Sequence, residues 1–194
     1  DEAWRKQFGA AKLTITDLNL KDAPIRLHCQ PQEVFGRPAD VSEKVLLKIR
    51  RALEGSKAGA VVLPLGLSGH VDHVSARDAA LSVLPADLPM AFYEQLPYAA
   101  DAGADGAVET AVHALSLTLQ SELQSAFASE SHQADAAIAE AVQRKRRAAW
   151  CYDSQIDEDV TTQIAEFCRR YQGRERLWVN VAWRRDGTLT PERT

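Results

Sequence analysis

Along residues 12–18, "KLTITDL", apolar and polar side chains alternate with the period of a short strand. In "VSEKVLLKIRRALEG" the period changes. Val41, Val45, Ile49 and Leu53 recur every four residues, which predicts an amphipathic helix ended by Gly55. "AVVLPL", residues 60–65, is a continuous apolar run bounded by glycines, the pattern of a strand buried on both faces. The helix expected after it carries Val74, Leu81 and Leu84 on one side, and "MAFYEQL", residues 90–96, reads as the next strand. Leucines at 115, 117, 119 and 123 alternate with Ser116, Thr118, Gln120 and Glu122, predicting a half-buried strand. Helices are expected over residues 135–152 and 159–171, and "RLWVNVAW", residues 176–183, as a closing strand. Trp4 and Phe8 mark a helix at the start that Gly9 stops, and "DAGADGA", residues 101–107, reads as a loop.

Strands alternating with helices predict an α/β fold with a mostly parallel sheet. The expected organisation is one domain over residues 1–183, with residues 184–194 as a tail. Ligands of such sheets sit at the carboxyl ends of the strands. A chain of 194 residues with 45% apolar and 26% charged content can bury a sizeable core. Its net charge of −4 argues against a general affinity for nucleic acid. No apolar stretch approaches the ~20 residues of a membrane span. Cys29, Cys151 and Cys168 are odd in number and lack C-x-x-C spacing. With no visible signal peptide, a cytoplasmic setting is expected. Four basic residues at 144–147 spread around a helix and read as a solvated face.

"VVLPLGLSGHVDHVSARDAALSVL", residues 61–84, concentrates the candidate chemistry. It delivers His70, Asp72 and His73 from a strand end, through two glycines, to the start of a helix. Histidine and carboxylate are the usual ligands of a catalytic zinc, which takes three protein ligands and leaves a place for water. Residues three apart share a helix face, so one imidazole could hold a metal while the other handles a proton. The alternative is that both rings cap the helix or bond a loop. No G-x-S-x-G elbow and no G-x-G-x-x-G after a strand is present, which disfavours serine hydrolase and dinucleotide chemistry.

"PLGLSGHVDHVSARDAA" followed by "FYEQLPYA" resembles the PIG-L/LmbE-like family of zinc-dependent N-acetylglucosaminyl deacetylases. "LTITDLNLKDAPIR" upstream, and "KRRAAWCYDSQI" and "RERLW" downstream, continue the resemblance in order. It implies a Rossmann-like three-layer sandwich, a Zn2+ cofactor, His73 as metal ligand and His70 as the catalytic group beside the scissile carbonyl. It also implies that Arg26, in a D-A-x-x-R turn, faces the sugar; an ion pair with Asp22 is the alternative. Tyr93 and Glu94, at a strand end, are candidates to line the substrate pocket, with packing or hydrogen bonding as the alternative. The implied partner is a small-molecule N-acetyl sugar conjugate, with no membrane span and a homo-oligomer left open.

The family's first metal motif, H-P-D-D, has no counterpart here. It would supply a histidine ligand, an aspartate ligand and the general base. The chain opens "DEAWRKQFGA" without a methionine, so the motif and its strand are expected upstream of Asp1. On this reading the chain alone is inactive. A non-catalytic carbohydrate-binding or scaffold protein of the same fold is the rival.

Overall fold

Four short strands make the sheet that positions the histidine pair: β1 (Val61–Pro64), β2 (Met90–Tyr93), β3 (Gln124–Phe127) and β4 (Arg176–Val179). The structure, a computed structural model, describes residues 14–39, 42–101, 103–127, 134–152 and 156–186. Seven α-helices lie among these residues. They are α1 (Ala23–Leu27), α2 (Glu43–Ser56), α3 (Val71–Leu81), α4 (Ala104–Leu119), α5 (Asp135–Ala149), α6 (Glu158–Arg170) and α7 (Val181–Asp186).

The strand order is β1-β2-β4-β3. β1 and β2 are parallel, whereas β4 runs antiparallel to both β2 and β3. The fold of the described residues is therefore α/β with an open mixed sheet, and these four strands do not by themselves show the mostly parallel, Rossmann-like sheet expected from the sequence. The reversal follows from α5 and α6, which pack on each other through Val142, Ala165 and Cys168 with Ile138 against them. They return the chain so that it re-enters between β2 and β3.

Period-two burial explains the two faces of the sheet. Leu63, Phe92 and Trp178 are in register and pack into the main core with Val45 and Ile49 of α2, Ala79 and Ala80 of α3, and Val108 and Leu115 of α4. Ala91, Val179, Leu177 and Ala126 point the other way and are covered by Trp183 of α7. Strand β1 is an edge strand among the described residues, and Val62 is 51% exposed there.

Several sequence expectations are corrected. Residues 115–119 close helix α4, and β3 starts only at Gln124. Val108 and Leu115 are buried seven residues apart, two helical turns, while Leu117 is 66% exposed. The alternation of leucines coincided with a helical stripe. Residues 14–18 form no regular element, and residues 12–13 of that expected strand lie outside the described residues. α2 runs past Gly55, and Lys57 caps it at φ 49°. The closing strand stops at Val179 because Asn180 ties its side chain to the backbone amides of Met90 and Trp183. Residues 181–186 then turn into α7, and 187–194 of the expected tail fall outside the described residues. The 101–107 loop is cut short where Gly103, at φ 85°, opens α4. The expected helix around Trp4 and Phe8 also lies outside the described residues. α5, with its following 3-10 turn Trp150–Tyr152, and α6 agree with the sequence reading.

Candidate functional site

Strand β1 ends in a turn held from two sides. Gln95, just beyond β2, accepts hydrogen bonds through Oε1 from the Gly66 and Leu67 amides at 3.1 and 3.3 Å. From α3, Arg77 Nη1 donates to the Leu65 carbonyl at 2.7 Å, and its guanidinium occupies the space a side chain at residue 66 would need. Gly66 also stands at φ 85°, the left-handed region that favours glycine. The 3-10 turn Leu67–Gly69 then hands the chain to α3 with His70 as its N-cap.

His70 Nδ1 accepts a hydrogen bond from the Asp72 amide at 3.2 Å. The capping alternative thus holds for one nitrogen of this ring and leaves Nε2 for other work. The His70 and His73 rings lie 4.9 Å apart, centroid to centroid. His73 Nδ1 is buried with no hydrogen-bond partner. Burial, and then the neighbouring His70, hold its pKa below the usual histidine value against the opposing pull of Asp72. The ring is therefore kept neutral, the form that ligates metals.

Two further rings close the group. Phe35 meets His70 edge-on at 5.3 Å, Tyr98 lies 6.0 Å from His73, and Phe35 and Tyr98 are 5.8 Å apart. Burial and then Asp101 raise the Tyr98 phenol above its usual range, so it stays protonated at neutral pH.

Asp72 joins the two sequence segments. Its Oδ1 accepts from Arg26 Nη2 at 2.8 Å and its Oδ2 from the Ala23 amide at 3.2 Å. Arg26 Nη1 also donates to the Lys21 carbonyl at 2.8 Å. Asp22, the ion-pair partner weighed from sequence, contributes its backbone carbonyl to the Arg26 amide instead. Beside this pair is a cleft of about 630 Å³ whose lining includes Leu18, Leu20, Val62, Arg26, Asp72 and Tyr93. Burial raises the Tyr93 phenol as well.

Glu94 is placed differently. Its Oε1 accepts from Arg176 Nε at 2.6 Å and Trp178 Nε1 at 2.8 Å, both on β4. Only 2% of its side chain is exposed, and Oε2 is buried without a partner. The structure therefore brings His70, His73 and Arg26 together through Asp72, while Glu94 is held in a buried pair with Arg176. Asp72 was visible inside H-x-D-H, but its tie to the arginine was not. Gln95, Arg77, Phe35 and Tyr98 carry no spacing signal.

A zinc ion tests the donor set directly. Among the described residues no group of three His, Cys, Asp or Glu side chains comes together to hold a metal. The buried, unpartnered Nδ1 of His73 is the kind of atom a cation satisfies. Both oxygens of Asp72 are already used, by Arg26 and Ala23. These residues fall short of the three protein ligands of a catalytic zinc and do not make a zinc site by themselves.

Fold and site define an α/β protein with an imidazole pair at the carboxyl end of a parallel strand, joined by a carboxylate to an arginine. The chain is 32% identical over 149 residues to 2'-N-acetylparomamine deacetylase of Streptomyces fradiae, a match covering 76% of this chain and 47% of that protein. It thus spans about half the length of the curated relative it matches. No family model matches the chain, and no solved structure matches it. Among the described residues, no helix is long and apolar enough to cross a membrane.

Proposed function

We propose that the protein is a zinc-dependent deacetylase, an amide hydrolase that takes the acetyl group from an N-acetylated amino sugar or sugar conjugate. The observation that carries this reading is the His70–His73 pair at the end of β1, with Arg26 fastened to it by Asp72. The deacetylase relative supports the reaction class. In the PIG-L/LmbE-like reading, His73 is one metal ligand and the remaining ligands and general base come from polypeptide outside the described residues. A bound zinc would supply an activated water and a polarised carbonyl.

The chain's own residues then have separate tasks. Water adds to the acetyl carbonyl carbon, the C–N bond breaks, and acetate and a free amine leave. His70, fixed by its bond to the Asp72 amide, is aimed to hold the proton that the departing amine needs. Arg26, oriented by Asp72 and Lys21, presents a planar cation to substrate hydroxyls. Glu94, expected from the sequence to contact substrate, would instead tie the end of β2 to β4 through its buried bonds to Arg176 and Trp178. Lacking two of the three metal ligands and the general base among its described residues, this chain alone is expected to be inactive.

The test is zinc analysis of the full-length natural polypeptide together with acetate release from N-acetylglucosamine conjugates. Bound zinc and acetate release, both lost in His73→Ala, are the expected results. A folded full-length protein with neither zinc nor acetate release removes the reading. The shortage of metal donors among the described residues favours one rival, a carbohydrate-binding or scaffold protein of the same fold. Sugar binding without hydrolysis by the full-length protein would establish that rival.

A further inference from the structure

Phe35 is a large apolar side chain left 42% exposed, and it is not a loose one. Its backbone forms an isolated antiparallel bridge with His70, and the Gly36 amide donates to the Gly69 carbonyl at 3.0 Å. That approach is close. Gly69 stands at φ 65°, and a Cβ there would lie 3.1 Å from the Gly36 nitrogen. Val34, the chain neighbour of Phe35, is buried with Ala23 and Val71. The 3-10 turn Pro31–Val34 is pinned by reciprocal bonds between Gln30 and Glu33. The fold thus spends a specific glycine contact and a buried anchor on holding an exposed aromatic ring against His70.

Tyr98 comes from the other side. It sits on a 3-10 turn, Tyr98–Ala100, whose Ala99 is buried and donates to the Gln95 carbonyl at 2.9 Å. Gln95 also clamps the β1 turn, so one residue fixes both the Tyr98 turn and the approach to His70. Each of the four rings, Phe35, His70, His73 and Tyr98, meets two of the others. Phe35 is the exposed member of the four, so part of its ring is open to solvent beside His70.

We propose that Phe35 and Tyr98 form a carbohydrate platform at the histidine pair, on which Phe35 takes the C–H face of a pyranose ring and so determines specificity. A pyranose is amphipathic: hydroxyls ring its equator while axial C–H groups make a flat apolar patch. An aromatic face matches that patch in size and carries the partial negative charge that C–H groups prefer. A sugar seated there has its ring substituents within reach of His70. This rests on the deacetylase reading for the location of the reacting amide, but the binding platform itself does not require hydrolysis.

The probe is N-acetylglucosamine, titrated into the 194-residue chain by calorimetry and by saturation-transfer NMR. The ring C–H protons of the sugar are expected to receive saturation. Phe35→Leu keeps an apolar side chain but removes the flat face, and is expected to weaken binding about tenfold, roughly 1.4 kcal/mol. Phe35→Trp should bind at least as tightly as the wild type. Circular dichroism verifies that each chain is folded. Equal affinity for Phe35→Leu and wild type overturns the inference, as does a folded wild type that binds no sugar. Acetate release by the full-length Phe35→Leu protein with an unchanged KM removes the platform and keeps the deacetylase. Binding that depends on Phe35, with no acetate released by the full-length protein, does the reverse.

Discussion

Asp72 is the residue on which the local arrangement turns. One oxygen holds the Arg26 guanidinium and the other the Ala23 amide, so a single carboxylate fixes α1 against the start of α3. The pair is partly screened, with 16% of the Arg26 and 32% of the Asp72 side chain exposed. Asp72→Ala should therefore destabilise the chain by about 1–2 kcal/mol, toward the low end for hydrogen bonds to charged groups. Urea denaturation measures this. A double-mutant cycle with Arg26→Ala should give a positive coupling energy; strict additivity would mean that the two side chains do not interact in solution. Sequence reading reached both residues as members of separate motifs. Their contact was not legible there, because they stand 46 positions apart and no spacing rule pairs residues at that separation.

At the scale of elements, α4 separates the two periodicities most sharply. A strand over residues 115–123 would bury Leu115, Leu117 and Leu119 alike. In the helix Leu115 enters the core and Leu117 faces water. Leu115→Ala is accordingly expected to cost about 2–5 kcal/mol. Leu117→Lys should change stability by no more than about 0.5 kcal/mol, as surface substitutions do. Equal, large losses at both positions in chemical melts would contradict the helix. The long helices α5 and α6 were legible because their apolar stripes last over three turns. α6 also opens with Asp157, whose side chain accepts from the Val160 amide. β1 and β2 were legible as apolar runs, although their ends were set by Gly66 and by the pairing with β4 rather than by composition.

For the whole molecule, the decisive feature is that β4, late in the chain, lies between β2 and β3. Glu94 and Arg176 span that junction with Glu94 almost wholly buried. The same packing gives the protein an alkaline weakness. Burial raises the Cys168 thiol and the Tyr93, Tyr98 and Tyr171 phenols above their ordinary values, with Glu94 adding to the shift at Tyr171. An unfolded chain releases those protons at about pH 8.5 for the thiol and about pH 10 for the phenols. Above those values the folded state holds more protons than the unfolded one, so stability falls as pH rises. The melting temperature is expected to be level from pH 7 to 8 and to decline as the pH passes these ranges. Tyr171→Phe and Cys168→Ala should flatten the decline, and differential scanning calorimetry across pH 7–11 tests it. An unchanged slope in both variants would mean that these groups are not buried as described.

The α/β class, the apolar runs of β1 and β2, the helices α5 and α6, and the concentration of candidate chemistry at residues 70–73 are legible in the order of the amino acids. These are local properties, written in side-chain period and in residues a few positions apart. Only tertiary structure decided that the sheet is mixed, that residues 115–119 are helical, that Asp72 rather than Asp22 holds Arg26, and that Phe35 and Tyr98 flank the histidines. Each of those depends on groups far apart in the chain meeting in space, where burial and hydrogen-bond satisfaction overrule local pattern.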